Sequence, residues 1–149
     1  MGPAMRIFLP IAAALALTAC VEKAPQISVT DPVIVPTPMG AAGYFTLTNE
    51  GGADRLVSVK IPSMGPAMVH ETTMTDGVMR MRHVDGVAVP AGETVAFRRG
   101  GYHVMIAAVP TPPAPGAKVD MVLHFAKQGD VSVSAKVEAP TAPTPMEGM

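Results

Sequence analysis

The chain has 149 residues, enough for one domain, and its formal net charge of −1 gives no reason to expect nucleic acid as a partner. Its single cysteine excludes an intramolecular disulfide, so a hydrophobic core must hold the fold. Sixteen prolines disfavour long helices, and twelve methionines stand against only six aromatic residues. Because methionine is flexible and specifies a core poorly, this excess needs an explanation other than packing.

Residues 1–19 are predicted to be a secretory signal segment. They carry one charge, Arg6, followed by the apolar run IFLPIAAALALTA, which is too short to span a bilayer as a stable helix. The run ends in LTAC, which resembles a bacterial lipobox, so we expect Cys20 to be acylated and to anchor the chain to a membrane. The alternative is an ordinary signal peptide with a chance cysteine. The chain from Cys20 onward has a formal charge of −2, with ten basic and twelve acidic residues.

Residues 20–25 are expected to form a tether, and residues 26–139 a β-domain in which short segments alternate with period two. The candidate strands, in chain order, are Ala42–Asn49, Arg55–Ile61, Ala67–Thr72, Met79–Val84, Thr94–Phe97, Tyr102–Val109, Val119–Phe125 and Val131–Glu138. Val57, Val59 and Ile61 are predicted to share one face. TDGV and VPAGE are predicted turns.

Seven to nine short strands, punctuated by Gly and Pro, predict an all-β fold: an antiparallel sandwich or Greek-key barrel. Residues 140–149, PTAPTPMEGM, lack the apolar content to pack, and we predict a disordered tail.

Histidines and methionines recur on single faces of three candidate strands. Alternation places His103 and Met105 on one face of their strand. It also groups Met79, Met81 and His83 on a second strand, and Met68, His70 and Thr72 on a third, whereas Glu71 points to the opposite face. A single methionine or histidine of this kind is more often core or surface filler. It is the combination of histidines and methionines on three strands that indicates a metal site. Thioethers are soft, neutral donors that favour Cu(I) over Zn²⁺, Mg²⁺ or Ca²⁺, and imidazole suits copper as well.

The spacing H-x10-M-x21-H-x-M, from His70 to Met105, resembles the signature of the PCu(A)C family of periplasmic copper chaperones. The segments AAGYFTLTNEGGADRLVSV, MTDGVMRMRHVDGVAVPAGETV, GGYHVM and GDVSVSAKV also resemble family segments in family order. The resemblance covers roughly residues 27–137. It implies a cupredoxin-like β-sandwich in which His70, Met81, His103 and Met105 bind Cu(I). It further implies a periplasmic protein that delivers copper to cytochrome c oxidase, including the CuA centre of subunit II, often beside a Sco-type protein.

The chain departs from the family pattern in places. His83 stands where relatives often have proline and is a spare donor near the site, and Glu71 stands where some have methionine. The tail has Met146 and Met149 but no histidine, so we do not expect a second copper site there. Met79 is expected to form a wall of the site, with exchange for Met81 as ligand the alternative. Met74 is expected to shield the metal or to act in its handover, and His124 to be an exposed strand residue.

Three other functions are alternatives to copper delivery. A copper buffer or resistance protein that sequesters metal without delivering it would use the same ligands. A scaffolding sandwich would use the methionines as core filler and take up no copper. An enzyme is not expected, because no Ser-His-Asp or Cys-His arrangement has a sensible context. We expect a monomer whose only other partner is the membrane, through Cys20.

Overall fold

The computed structural model describes residues 21–107 and 109–140, which form an all-β domain of ten strands. The strands are β1 (Ile27–Thr37), β2 (Gly40–Asn49), β3 (Asp54–Lys60), β4 (Ala67–Thr75), β5 (Val78–His83), β6 (Val87–Val89), β7 (Thr94–Phe97), β8 (Tyr102–Ala107), β9 (Lys118–Phe125) and β10 (Gly129–Val137). No helix in these two ranges is long and apolar enough to cross a membrane. The all-β prediction is confirmed.

The ten strands form one curled sheet in the order β5-β4-β8-β7-β2-β1-β10-β9-β3-β6, with a further pairing of β8 and β2. Most neighbours are antiparallel, whereas β1 runs parallel to β10 and β7 parallel to β8. Strands far apart in this order share one core: Val69 of β4 packs in the same cluster as Leu56 of β3 and Val89 of β6. The curl therefore closes one hydrophobic interior and leaves the other face of β4, β5 and β8 outside it.

The interior follows the predicted alternation. Val119, Met121, Leu123 and Phe125 of β9 are buried in turn, as the sequence predicted. Phe45 stacks on Phe97 with ring centroids 4.4 Å apart. Burial of this kind contributes about 25 cal/mol per Å² of apolar surface and is the main support of a domain without disulfides.

Two predictions about the strands are wrong. The count is ten rather than seven to nine, because β1 and β6 were not among the eight candidates. The face predicted for Val57, Val59 and Ile61 is also wrong at Val57: Val59 and Ile61 are buried, but Val57 is 41% exposed and Leu56 is buried instead. The register of β3 on β9 slips between Leu56 and Ser58, and such a bulge reverses the alternation locally. The Greek-key connectivity stays a prediction.

The chain ends were predicted to differ from the domain. Residues 1–20, with the predicted signal segment and Cys20, and residues 141–149, most of the predicted tail, lie outside the described residues. Part of the predicted tether is held by the β2–β3 turn, where the amide of Gly52 donates to the carbonyl of Ala24 at 3.1 Å and Lys23 Nζ donates to the carbonyl of Glu50 at 2.7 Å.

Candidate metal centre

The β4–β5 hairpin sets the register of the first donors. Its turn is the predicted Asp-Gly pair: Asp76 and Gly77 have φ values of 52° and 76°, the left-handed conformation that tight hairpins need. The register then pairs Met74 with Met79, Thr72 with Met81 and His70 with His83. Directly paired residues point to the same side of a sheet, so β4 and β5 present their donors together.

The other edge of β4 pairs with β8 and brings the remaining donors. His70 lies opposite His103, and Met68 lies opposite Met105. Strand β8 begins after Arg99-Gly-Gly, where Gly100 has a φ of 78°, a left-handed conformation that lets the chain turn tightly.

One outward face of β4, β5 and β8 therefore carries three imidazoles and five thioethers. Its donors are Met68, His70, Met74, Met79, Met81, His83, His103 and Met105. The opposite face contains the core residues Val69, Val104 and Ile106. Glu71 also lies on that side, where it accepts hydrogen bonds from Arg82 at 2.6 and 3.0 Å, as the alternation predicted.

His70 is the central imidazole of the three. Its ring centroid lies 5.7 Å from that of His103 and 6.0 Å from that of His83, edge to face in both cases. Its Nδ1 is buried and has no hydrogen-bond partner. Burial lowers the pKa of His70 below its ordinary 6.5, and the nearby His103 and His83 lower it further. The neutral imidazole, which is the form that binds metals, is thus favoured.

A backbone contact orients the imidazole of His103. Its side chain is buried, and its Nδ1 lies 3.3 Å from the carbonyl oxygen of Gly101. A carbonyl oxygen only accepts, so Nδ1 carries the proton in this contact and Nε2 keeps its lone pair. The same carbonyl accepts from the amide of Thr72 at 3.0 Å, which ties β4 to the start of β8. Backbone contacts of this kind orient metal-binding histidines in proteins.

The two predicted thioether ligands lie on either side of the imidazole pair. Met81 is paired with Thr72, two residues beyond His70, and Met105 follows His103 by two residues. Met81, His103 and Met105 line one cavity of about 460 Å³, and His70 stands beside His103. The three rotatable bonds of methionine let a thioether reach sideways towards a common centre. The fold thus places all four predicted ligands on one face and three of them in one cavity.

The cavity also contains a residue that the sequence analysis missed. Met39, in the β1–β2 turn, lines it together with Pro38 and is 82% exposed. Met79 lines the cavity as predicted, whereas Met74 does not. A turn that reaches a cavity formed by strands far along the chain leaves no periodic signal in the sequence, so only the tertiary structure reveals Met39.

Across the described part of the chain, no group of three or more His, Cys, Asp and Glu residues is arranged to hold a metal ion. His124 is exposed, as predicted, and its Nδ1 pairs with Asp130 Oδ1 at 2.5 Å on a different part of the sheet.

Comparisons with known proteins agree with this geometry. A family model described as "Putative lipoprotein LpqE-like" matches residues 23–137. The structure titled "Copper-bound PCuAC domain from PmoF2" is 27% identical and covers 80% of this chain and 98% of that one, with a TM-score of 0.65. The solution structure of CuI-DR1885 from Deinococcus radiodurans is 27% identical, covers 83% of each chain and has a TM-score of 0.58.

One curated relative is described as "Putative lipoprotein Lxx21020" of Leifsonia xyli subsp. xyli (strain CTCB07). It is 26% identical over 99 residues, which are 65% of this chain and 60% of that protein's length. In fold and sequence the chain is a PCuAC-type domain. It belongs to the LpqE-like family of PCuAC proteins, which confirms the predicted resemblance.

Proposed function

We propose that this protein is a copper chaperone that binds Cu(I) through His70, Met81, His103 and Met105. The observation that carries the proposal is the pair of neighbouring imidazoles between two methionines. His70 has a buried nitrogen without a partner, and the contact with Gly101 leaves Nε2 of His103 with its lone pair.

The donor set matches Cu(I) in its chemistry. Two neutral imidazoles and two neutral thioethers leave the ion its single positive charge and need no deprotonated ligand. Thioethers do not form disulfides, so such a site survives in an oxidising compartment. The PmoF2 domain was solved with copper and DR1885 with Cu(I), and both cover at least four fifths of this chain.

The exposure of the ligands is graded, which suits transfer. Met81 is 52% exposed, Met105 is half-buried, and His103 is buried. The Met81 thioether can therefore be displaced first and the imidazoles later, so that ligands are exchanged one at a time. Stepwise exchange avoids releasing free Cu(I).

We further propose that Cys20 is acylated and that the domain, a cupredoxin-like Greek-key sandwich and a monomer, is anchored to a membrane on the periplasmic side. The descriptions of the family model and of the Leifsonia relative as lipoproteins support the anchor. The recipient we propose is the CuA centre of cytochrome c oxidase subunit II, with a Sco-type protein as a second partner. The protein binds and delivers metal and is not an enzyme.

An anaerobic Cu(I) titration of the purified protein against a competing chelator tests the binding site. We expect one copper per chain, and we expect His103→Ala and Met105→Ala each to weaken binding sharply while the far-ultraviolet circular dichroism stays that of a β-protein. Matched controls are His124→Ala, an exposed histidine outside the site, and Met74→Ala, an exposed methionine of the same hairpin that does not line the cavity. Unchanged Cu(I) affinity in both site variants refutes the assignment.

A copper buffer is the second candidate, and the burial of His103 favours it because buried ligands retain metal. Mixing the copper-loaded protein with the apo form of a soluble subunit II domain separates the two functions. If the protein is a chaperone, the rate of copper transfer to subunit II exceeds the rate at which copper dissociates spontaneously from the protein. If it is a buffer, the transfer rate does not exceed that dissociation rate.

A further inference from the structure

His83 extends the row of imidazoles beyond the four proposed ligands. It is paired with His70 across the β4–β5 ladder, with ring centroids 6.0 Å apart, and its side chain is half-exposed. His70 thus stands between two histidines at nearly equal distances, His103 on the buried side and His83 on the exposed side. The proposed four-ligand site uses only the first of these neighbours.

A second, smaller concavity lies on the His83 side. Its volume is about 150 Å³, and its lining includes Met68, His83 and Asp85. Met68 precedes His70 by two residues on β4 and is 43% exposed. An imidazole and a thioether thus line this concavity, as they line the larger cavity, and neither belongs to the four proposed ligands.

Asp85 orients His83 as a ligand. Its Oδ1 lies 3.2 Å from Nε2 of His83, so the carboxylate takes the Nε2 side of the ring and leaves Nδ1 as the nitrogen open to a metal. A carboxylate on the far nitrogen of an imidazole is a common support of metal-binding histidines. Because this pair is exposed, its contribution to folding is small, and its effect is on the orientation of the ring.

We infer that His70, His83 and Met68 form a second, outer Cu(I) position, and that copper leaves the protein through it. The inference rests on the proposed function. The ion moves from the inner position by exchanging His103, Met105 and Met81 for His83 and Met68, while His70 stays bound. The copper remains Cu(I), so only coordination bonds form and break. The outer position is the one that a partner protein reaches.

The first test is the rate of Cu(I) transfer from the full chain to bicinchoninate. Loss of a group that only supports a ligand already weakens a metal position roughly 10- to 100-fold, and His83 is a ligand of the outer position itself. Release through the outer position should slow by a similar factor in His83→Ala, while the equilibrium Cu(I) affinity stays that of the wild type. The matched control is His124→Ala, because His124 is also a half-exposed strand histidine paired with an aspartate, and its variant should transfer at the wild-type rate.

The second test isolates the outer position by X-ray absorption. Met81→Ala with Met105→Ala removes both inner thioethers, and the remaining copper should still show a Cu–S distance, from Met68. Adding Met68→Ala should remove that sulfur, whereas adding Met79→Ala instead should leave it. If the Cu–S distance is lost on adding Met79→Ala rather than Met68→Ala, the assignment of Met68 is overturned.

The outcomes separate this inference from the proposed function. A wild-type transfer rate in His83→Ala overturns the outer position while leaving the four-ligand site intact. A large loss of equilibrium affinity in His83→Ala overturns it as well, because His83 would then be a primary ligand. Absence of Cu(I) binding by the wild-type protein overturns the proposed function itself.

Discussion

The interior of the sheet and the outward face of β4, β5 and β8 use methionine in opposite ways. In the interior, Met64 and Met121 are buried among aliphatic and aromatic side chains, and both fill space. On the outward face, Met74, Met79 and Met81 are each more than half exposed. Exposed apolar side chains in a group mark a site of interaction rather than a contribution to folding.

The difference shows that position, and not residue type, decides what a methionine does. A buried methionine gains stability from contact with its neighbours, and leucine could replace it at small cost. An exposed one gains little from contact, so its sulfur is the property that distinguishes it from leucine. The contrast leads to three measurements, in order of expected effect.

The largest effect is expected in the interior. Leu123→Ala removes a fully buried side chain and leaves a cavity, so we expect the free energy of unfolding to fall by about 2–5 kcal/mol. Denaturant unfolding of the apo protein measures it. If Leu123→Ala were as stable as the wild type, the interior would not be the support of the fold.

The second effect concerns His70 and the pH dependence of the free energy of unfolding of the apo protein. Its lowered pKa means that the unfolded chain takes up a proton at a higher pH than the folded chain does. The contribution of His70 to stability is therefore fully present above about pH 6.5, the ordinary histidine value, and is lost as the pH falls through the lowered pKa. Unfolding curves between pH 7.5 and roughly pH 5 should show this decline.

In His70→Asn, which cannot titrate, the decline should be shallower. His124→Asn, outside the site, is the control. It should keep the loss of unfolding free energy that His70 causes as the pH falls. An identical slope in His70→Asn and in the wild type would contradict the assignment.

The smallest effect on stability is expected for the exposed methionines. Met79→Leu and Met81→Leu keep side-chain size and remove sulfur, so each should change the free energy of unfolding by less than about 0.5 kcal/mol. Cu(I) affinity should separate them: Met81→Leu should bind copper clearly more weakly, whereas Met79→Leu should be close to the wild type. Equal losses in the two variants would mean that both thioethers bind the metal.

Much of the fold was predictable because alternation is a local signal. All eight candidate segments are strands, and the shared face of His103 and Met105 followed from their spacing alone. β1 was not predicted, because Pro32 and Pro36 interrupt its alternating pattern. Its register also slips between Thr30 and Val33, beside Asp31, which has a φ of 50°. β6 escaped because three residues are too few to show a period.

The site was predictable strand by strand but not between strands. The sequence grouped the donors of each strand, and the family resemblance supplied the four ligands. Neither could show that His70 stands between His83 and His103, because that depends on the register of two ladders. Nor could either show that Met39 lines the larger cavity, because that depends on where the β1–β2 turn lies in the folded chain.

The length of β1 has a consequence for how the protein sits beside a membrane. One end of this strand, at Ile27, follows the segment fixed to the β2–β3 turn, and the other end, Thr37, lines the larger cavity. Eleven residues of extended chain span about 35 Å. If Cys20 carries the acyl chain proposed above, β1 would act as a spacer that holds the larger cavity away from the lipid surface.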